Sequence, residues 1–215
     1  MKPSERKLYD YLEEYAQKRG EERFLSDEES SYTVNETFGI AKSLAEQLEN
    51  SGVKSGDFVS VKADRTIKTI LVFYALEIMG AVAVMHDPRE RMTHDIRIEY
   101  GILNAYGRET TLSFEAREVK KLKVSEDGKA AGAVIFTSGS TGERKAVVLS
   151  QYNFINNSLD TLELGGYRED DINILIVPLH HVFGLALVVT AVVAKHSIFV
   201  PVSYTHLRAH ETLSD

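Results

Sequence analysis

A helical apolar run over residues 66–79 stops at Gly80. A strand pattern over 81–85 starts at the next residue and is broken by Asp87-Pro88. Glycine supplies a left-handed helix cap without a Cβ clash, and the residue before a proline is driven out of helical geometry. Stop and break therefore fix one helix–strand unit, and similar units recur. Leu8, Tyr11, Leu12 and Tyr15 form one face of a helix over 5–19, ended by Gly20. Tyr32-Thr33 leads into a second helix whose apolar face holds Phe38, Ala41, Ala45 and Leu48, with Ser51-Gly52 as its stop. A turn at Lys54-Ser55-Gly56-Asp57 opens a strand over 58–61, expected to alternate in and out. Helices alternating with short strands predict an α/β domain.

Residues 89–127 are more polar, and one helix is expected near 94–104, followed by a solvated connection rich in Lys and Glu. Beyond 130 the pattern sharpens. An apolar strand over 133–136, a loop and a second strand over 146–149 precede Ser150, which is placed to cap a helix over 151–162 ended by Gly165-Gly166. A buried strand over 172–177, the turn Pro178-Leu179-His180-His181-Val182-Phe183-Gly184, a helix over 185–194 and a strand over 197–200 complete the order. The long apolar stretch 174–194 is interrupted by Pro178, His180, His181 and Gly184. Polar groups at that depth are costly in lipid, so strand, loop and buried helix is expected and not a membrane span. No internal repeat or low-complexity segment is evident.

Charge narrows the partners. Lys+Arg number 25 against Asp+Glu 32, a net of −7 over 215 residues. A nucleic-acid binder needs a basic face to neutralise phosphates, so nucleic acid is not an expected partner, and neither is an anionic membrane surface. There is no cysteine, which removes disulfides, thiolate metal sites and cysteine nucleophiles and fits a reducing compartment. Met1 to Arg6 is followed by no apolar run, so no signal peptide and a cytoplasmic location are expected.

The chemistry concentrates in Thr137-Ser138-Gly139-Ser140-Thr141-Gly142-Glu143-Arg144-Lys145. Two glycines let successive amides turn inward around an anion. Ser138, Ser140 and Thr141 add hydroxyl donors, and Lys145 adds a mobile cation suited to a phosphate oxygen. By composition alone this is a flexible linker, but it joins two apolar strands and not two domains. It also departs from the G-x-x-x-x-G-K-[ST] loop of the Walker-type NTPases. Gly139 and Gly142 have the wrong separation, and a strand follows where that motif requires a helix.

Phe136 to Val147 resembles the signature of the adenylate-forming superfamily of acyl-CoA synthetases, luciferases and peptide-synthetase adenylation domains, a Thr/Ser-Ser-Gly-Ser/Thr-Thr-Gly loop followed by two variable residues, Lys, Gly and Val. Ser150-Gln151-Tyr152-Asn153 is similar to the family's Ser-His-x-Asn. Tyr32-Thr33, Gly52 to Asp57 and Gly80 to Pro88 fall in family order, so the likeness runs from about Tyr32 to Pro201. Arg144, Ala146 and Gln151 stand where the family usually has Pro, Gly and His; the first two bear on how the loop closes over pyrophosphate. The fold implied is α/β, the N-terminal portion of the large domain of an adenylate-forming enzyme, with mixed sheets flanked by helices.

Pro178-Leu179-His180-His181-Val182-Phe183-Gly184-Leu185 resembles the family's Pro-Leu-Phe-His-x-x-Gly-Leu. A histidine in an apolar segment is more often a satisfied core residue than a base. Two adjacent histidines also raise a metal site, but neighbours are expected to point apart and no third ligand is evident. The resemblance implies His181 near the reacting carboxylate, Phe183 near the acyl pocket and Gly184 beside them. Amino-acid-activating members tend to carry Asp in this segment to pair an ammonium group. Its absence favours a carboxylic acid without an α-amino group, hence an acyl-CoA or acyl-carrier-protein ligase.

The implied reaction is attack of the carboxylate on the α-phosphorus of MgATP, giving acyl-adenylate and pyrophosphate, then thioester formation on CoA or a phosphopantetheine arm. Thr137, Ser138, Gly139, Ser140, Thr141, Gly142 and Lys145 would hold the β- and γ-phosphates, with Lys145 and His181 as catalytic groups. The family's Tyr-Gly-x-Thr-Glu segment, whose Glu helps hold Mg2+, its ribose-binding Asp and its small C-terminal domain with a catalytic Lys do not occur in this sequence. The chain is thus expected to be a partial N-terminal domain over 1–201, inactive alone. Residues 202–215 depart from the family pattern and resemble one reading frame of a sequencing-library adapter, so a non-native tail is expected there. The alternatives are a non-catalytic nucleotide or acyl binder and an amino-acid-activating adenylation domain.

Overall fold

Hydroxyl caps and glycine stops set several of the helix boundaries in the computed structural model of the chain, which describes residues 6–89, 96–99, 103–105, 108–110, 113–116, 131–137, 145–165, 167–168 and 170–201, with backbone alone at 96–116 and Lys145. In chain order the elements are α1 (Leu8–Arg19), β1 (Arg23–Ser26), β2 (Ser31–Thr33), α2 (Val34–Asn50), β3 (Phe58–Lys62), α3 (Ile67–Met79), β4 (Val82–His86) and β5 (Ile96–Glu99). They continue with β6 (Leu103–Ala105), β7 (Arg108–Thr110), β8 (Ser113–Ala116), β9 (Ala131–Thr137), β10 (Lys145–Ser150), α4 (Gln151–Gly165), β11 (Ile172–Ile174), α5 (Val182–Ala194) and β12 (Ser197–Phe199). Thr33 Oγ1 accepts from the Glu36 amide at 3.1 Å, and Glu36 Oε2 accepts from the Thr33 amide at 2.8 Å, a reciprocal cap that starts α2. Ser150 Oγ accepts from the Asn153 amide at 3.2 Å, the cap expected for α4. Gly80 closes α3 in the left-handed region, φ 75°.

A six-stranded sheet runs β10-β9-β4-β3-β5-β8, and a four-stranded sheet runs β11-β12-β1-β2. In the first, β9, β4, β3 and β5 are mutually parallel, and β10 and β8 add antiparallel edges. The second pairs β11, β12 and β1 in parallel, with β2 antiparallel to β1. One large apolar core joins all five helices to the two larger sheets. A small cluster of Val82, Val84 and Val134 lies separately, flanked by Phe58, Ala131 and Phe136. This is the mixed-sheet α/β architecture that the sequence implies.

Three expectations change. The helix near 94–104 is replaced by β5 and β6. Ile96 and Ile98 recur at a period of two, and β5 adds parallel to β3 with Val61 opposite Ile98, so sheet pairing overrides the helical pattern. The strand at 58–61 does not alternate, since Val59, Ser60 and Val61 are all buried on an interior parallel strand. The strand at 172–177 is short and not buried, because β11 is the sheet edge and leaves Ile172 49% and Ile174 56% exposed. β1, with Phe24 and Leu25 wholly buried between β12 and β2, has no counterpart in the sequence reading. Residues 117–130 and the tail at 202–215 lie outside the described residues. No helix among the described residues is long and apolar enough to cross a membrane.

Replacing Thr33 by Ala removes the α2 cap and is expected to cost about 1 kcal/mol of unfolding free energy, read from urea denaturation. A second prediction concerns Glu77 on α3, which is buried and whose Oε1 has no hydrogen-bond partner among the described residues. Burial pushes its carboxyl well above the ordinary value of 4.5. The native state therefore keeps a proton that the unfolded chain releases, and stability falls as pH rises above about 4.5. Glu77→Gln should flatten that decline and raise stability at neutral pH, measured as unfolding midpoints across pH 4 to 8.

Candidate functional site

Parallel strands β4 and β9 end on the same side of the six-stranded sheet, and ligands of open α/β sheets bind outside such carboxyl ends. A half-open cleft of about 360 Å³ lies there, lined by Asp87, Arg89, Ile135, Phe136, Thr137, His180, His181 and Val182. Three chain segments meet in it: the exit of β4, the last residues of β9, and the turn into α5.

The turn into α5 is held from several sides. The His181 amide donates to Pro178 O at 3.1 Å, and His181 is the N-cap residue of α5, with no side-chain cap bond. Arg65 reaches across from the β3–α3 loop, donating to Ile176 O at 2.9 Å and to Pro201 O at 3.1 Å. Gly184 is buried against the same turn, where a Cβ would stand 2.3 Å from Pro178 O. Tight backbone packing thus fixes where the two imidazoles sit.

Asp87 follows β4 and is buried, 5% exposed. Arg89 grips it with Nε on Oδ1 at 2.9 Å and Nη2 on Oδ2 at 2.6 Å, and the Arg89 amide donates to Oδ1 at 3.0 Å. These bonds hold the Asp87 carboxyl well below the usual carboxylate range. His180 Nε2 lies 3.6 Å from Asp87 Oδ2. Burial pushes the His180 imidazole down, and the neighbouring Asp87 carboxylate opposes that shift. Below the cleft, Ser60 Oγ meets His86 Nε2 at 3.3 Å, and the His86 ring lies 4.8 Å from that of Phe136.

Of the residues singled out in the sequence, Thr137 and His181 share the cleft lining. Lys145 stands opposite Thr137 in the antiparallel β9–β10 register, so the glycine loop leaves and returns at paired positions. Ser138, Gly139, Ser140, Thr141 and Gly142, and the Lys145 side chain, lie outside the described residues. Phe183 is 60% exposed on the first turn of α5 and Gly184 is buried; neither lines the cleft. The two histidines do not point apart. Their ring centroids are 4.5 Å apart at 40°, because the turn folds both side chains to one side as α5 begins. Among the described residues no group of three or more His, Cys, Asp or Glu is placed to hold a metal. In the sequence, Asp87 reads as a strand breaker at the end of the family-ordered segment Gly80 to Pro88, and Arg89 as the start of a polar stretch. A charged pair directly after a buried parallel strand is the signal that marks them.

These features define an α/β protein with a ligand cleft at the carboxyl ends of its parallel strands. The AMP-binding enzyme family matches residues 12–97 and 95–214, and the chain belongs to that family. A 2-succinylbenzoate–CoA ligase of Bacillus cereus is 26% identical over 201 residues, covering 86% of this chain and 42% of the relative. The chain thus spans less than half the length of the curated relatives it matches. O-succinylbenzoate Coenzyme A Synthetase of Bacillus subtilis, in complex with AMP, superposes with a TM-score of 0.72 at 20% identity over 93% of this chain and 57% of that one. VinN in complex with 3-methylaspartate superposes at 0.74 with 18% identity over 95% and 64%.

Gly184→Ala should displace the turn that carries His180 and His181. Overpacking of this kind is expected to cost roughly 1–3 kcal/mol, measured by urea unfolding.

Proposed function

We propose that this chain forms the phosphate- and acid-binding portion of an AMP-forming acid–thiol ligase. Such an enzyme activates a carboxylic acid with ATP to an acyl-adenylate and then transfers the acyl group to CoA or a carrier-protein phosphopantetheine. The observation that carries this reading is the meeting of Thr137 and His181 in one cleft, with the glycine loop rooted at Thr137. A polyphosphate held by the loop would lie within reach of an acid held near His181. ATP supplies the pyrophosphate leaving group; Mg2+ accompanies it, and none of the described residues is assigned to the metal. The work of Thr137, the loop amides and Lys145 is charge stabilisation and positioning. His181 would orient the carboxylate, while Ile135 and Val182 line the same cleft as apolar wall.

The substrate favoured is an acid without an α-amino group, as in the 2-succinylbenzoate–CoA ligases it resembles. VinN, seen with 3-methylaspartate, gives the amino-acid reading its support. Asp87 is a carboxylate in the cleft that could meet an ammonium group, but both of its oxygens are engaged by Arg89. That engagement tilts the choice toward a plain carboxylic acid.

ATP–pyrophosphate exchange across a panel of aromatic, aliphatic and amino acids tests the reading. The product of the complete gene is expected to exchange with a plain carboxylic acid, and the 215-residue chain alone is expected to form no acyl-adenylate. Lys145→Ala in the complete enzyme should slow exchange on the order of 10²-fold. Unchanged exchange would remove Lys145 from the phosphate site. Exchange only with amino acids would establish the other substrate class.

A further inference from the structure

Four side chains from two distant stretches form a file along the cleft wall. Arg89 grips both oxygens of Asp87, Asp87 Oδ2 lies 3.6 Å from His180 Nε2, and the His180 ring lies 4.5 Å from that of His181, tilted by 40°. The file runs from the exit of β4 to the start of α5 and so ties the six-stranded sheet to the helix that opens on the cleft. All five residues of β4 are buried, and the carboxylate that follows them is buried too. A buried carboxylate is costly unless paired, and its neighbours here are Arg89 and His180. The His181 side chain makes no cap bond to α5, and its ring contact is with His180. The groups facing His180 are Asp87 and Arg89 from the β4 exit, His181 on its own turn, and the Ala63 backbone.

The geometry points to Asp87 as a positioning residue: clamped by Arg89, it holds the Nε2 edge of His180 and thereby sets the His181 ring at the cleft. This rests on the ligase reading only in naming His181 as the residue served. His180 stands where the resembling motif carries phenylalanine. Phenylalanine would keep a ring beside His181 but lose the contact to Asp87.

The test is imidazole NMR of the full 215-residue chain, without nucleotide or acid. Asp87→Asn should move the His181 Cε1–H resonance, weaken the ring-to-ring NOE and carry the His180 titration midpoint further down. In a His180→Phe background, Asp87→Asn should leave the His181 resonance in place, because the connecting group is gone. The proposal is overturned if His181 does not respond to Asp87→Asn, or responds equally with and without His180. Should Asp87→Asn lose spectral dispersion, Arg89→Gln, at a side chain 84% exposed, decides instead. A displaced His181 resonance supports the file, and an unmoved one in a folded protein overturns it. Failure here leaves the ligase reading standing, and absence of pyrophosphate exchange leaves this coupling standing.

Discussion

Parallel pairing of β4 on both sides is the constraint from which the rest of the molecule follows. A strand hydrogen-bonded to β3 and β9 in parallel needs crossover connections. α3 supplies the first, and its Gly80 cap returns the chain directly into β4. Burial on both faces then demands an apolar strand, and Val82 to Met85 meet that demand. Parallel alignment also sends the exits of β4 and β9 to the same edge, where the chain first carries charge and hydroxyl groups: His86, Asp87, Arg89 and Thr137. The cleft is thus a product of topology, and the residues after each strand decide its chemistry.

Two buried carboxyl groups show how differently a fold treats such a group. Glu77 sits in the core without a hydrogen-bond partner for Oε1 among the described residues and is driven toward its neutral form. Asp87 is equally withdrawn from solvent, yet Arg89 keeps it ionised. The first costs stability as pH rises, and the second as pH falls. Only the ionised one faces the cleft, which fits a site that handles charge.

Local signals were legible in the sequence, and pairings were not. Thr33, Ser150, Gly80 and the apolar faces of α1 and α2 act through contacts within a few residues, so periodicity and caps locate those elements. β1 and β5 owe their conformation to partners far along the chain, β12 and β3, and Ile96 and Ile98 in a polar stretch do not announce a strand. The apolar character of Ile172 and Ile174 reads as burial, although the edge strand β11 leaves both exposed, as is Ile176 just beyond it. In the site, the glycine loop and His181 were visible as motifs. Asp87 and Arg89 gain meaning only when β4 delivers them beside His180, which lies more than ninety residues away in sequence.

Register also resolves one departure from the resembling motif. Ala146 occupies a position where glycine is usual, which would matter if the backbone there were left-handed. Instead Ala146 pairs with Phe136 inside the regular β9–β10 ladder, and among the described residues Lys195 alone takes a positive φ without being glycine. Residue 146 is also exposed on an edge strand, so a methyl group meets no packed neighbour that must give way. The ladder continues to the Thr137–Lys145 pair, so the glycine loop leaves and returns at paired positions, with Thr137 on the cleft wall. The substitution therefore falls on the scaffold of the loop, where strand geometry accepts it, while the hydroxyl and ammonium groups suited to phosphate keep their positions in the sequence.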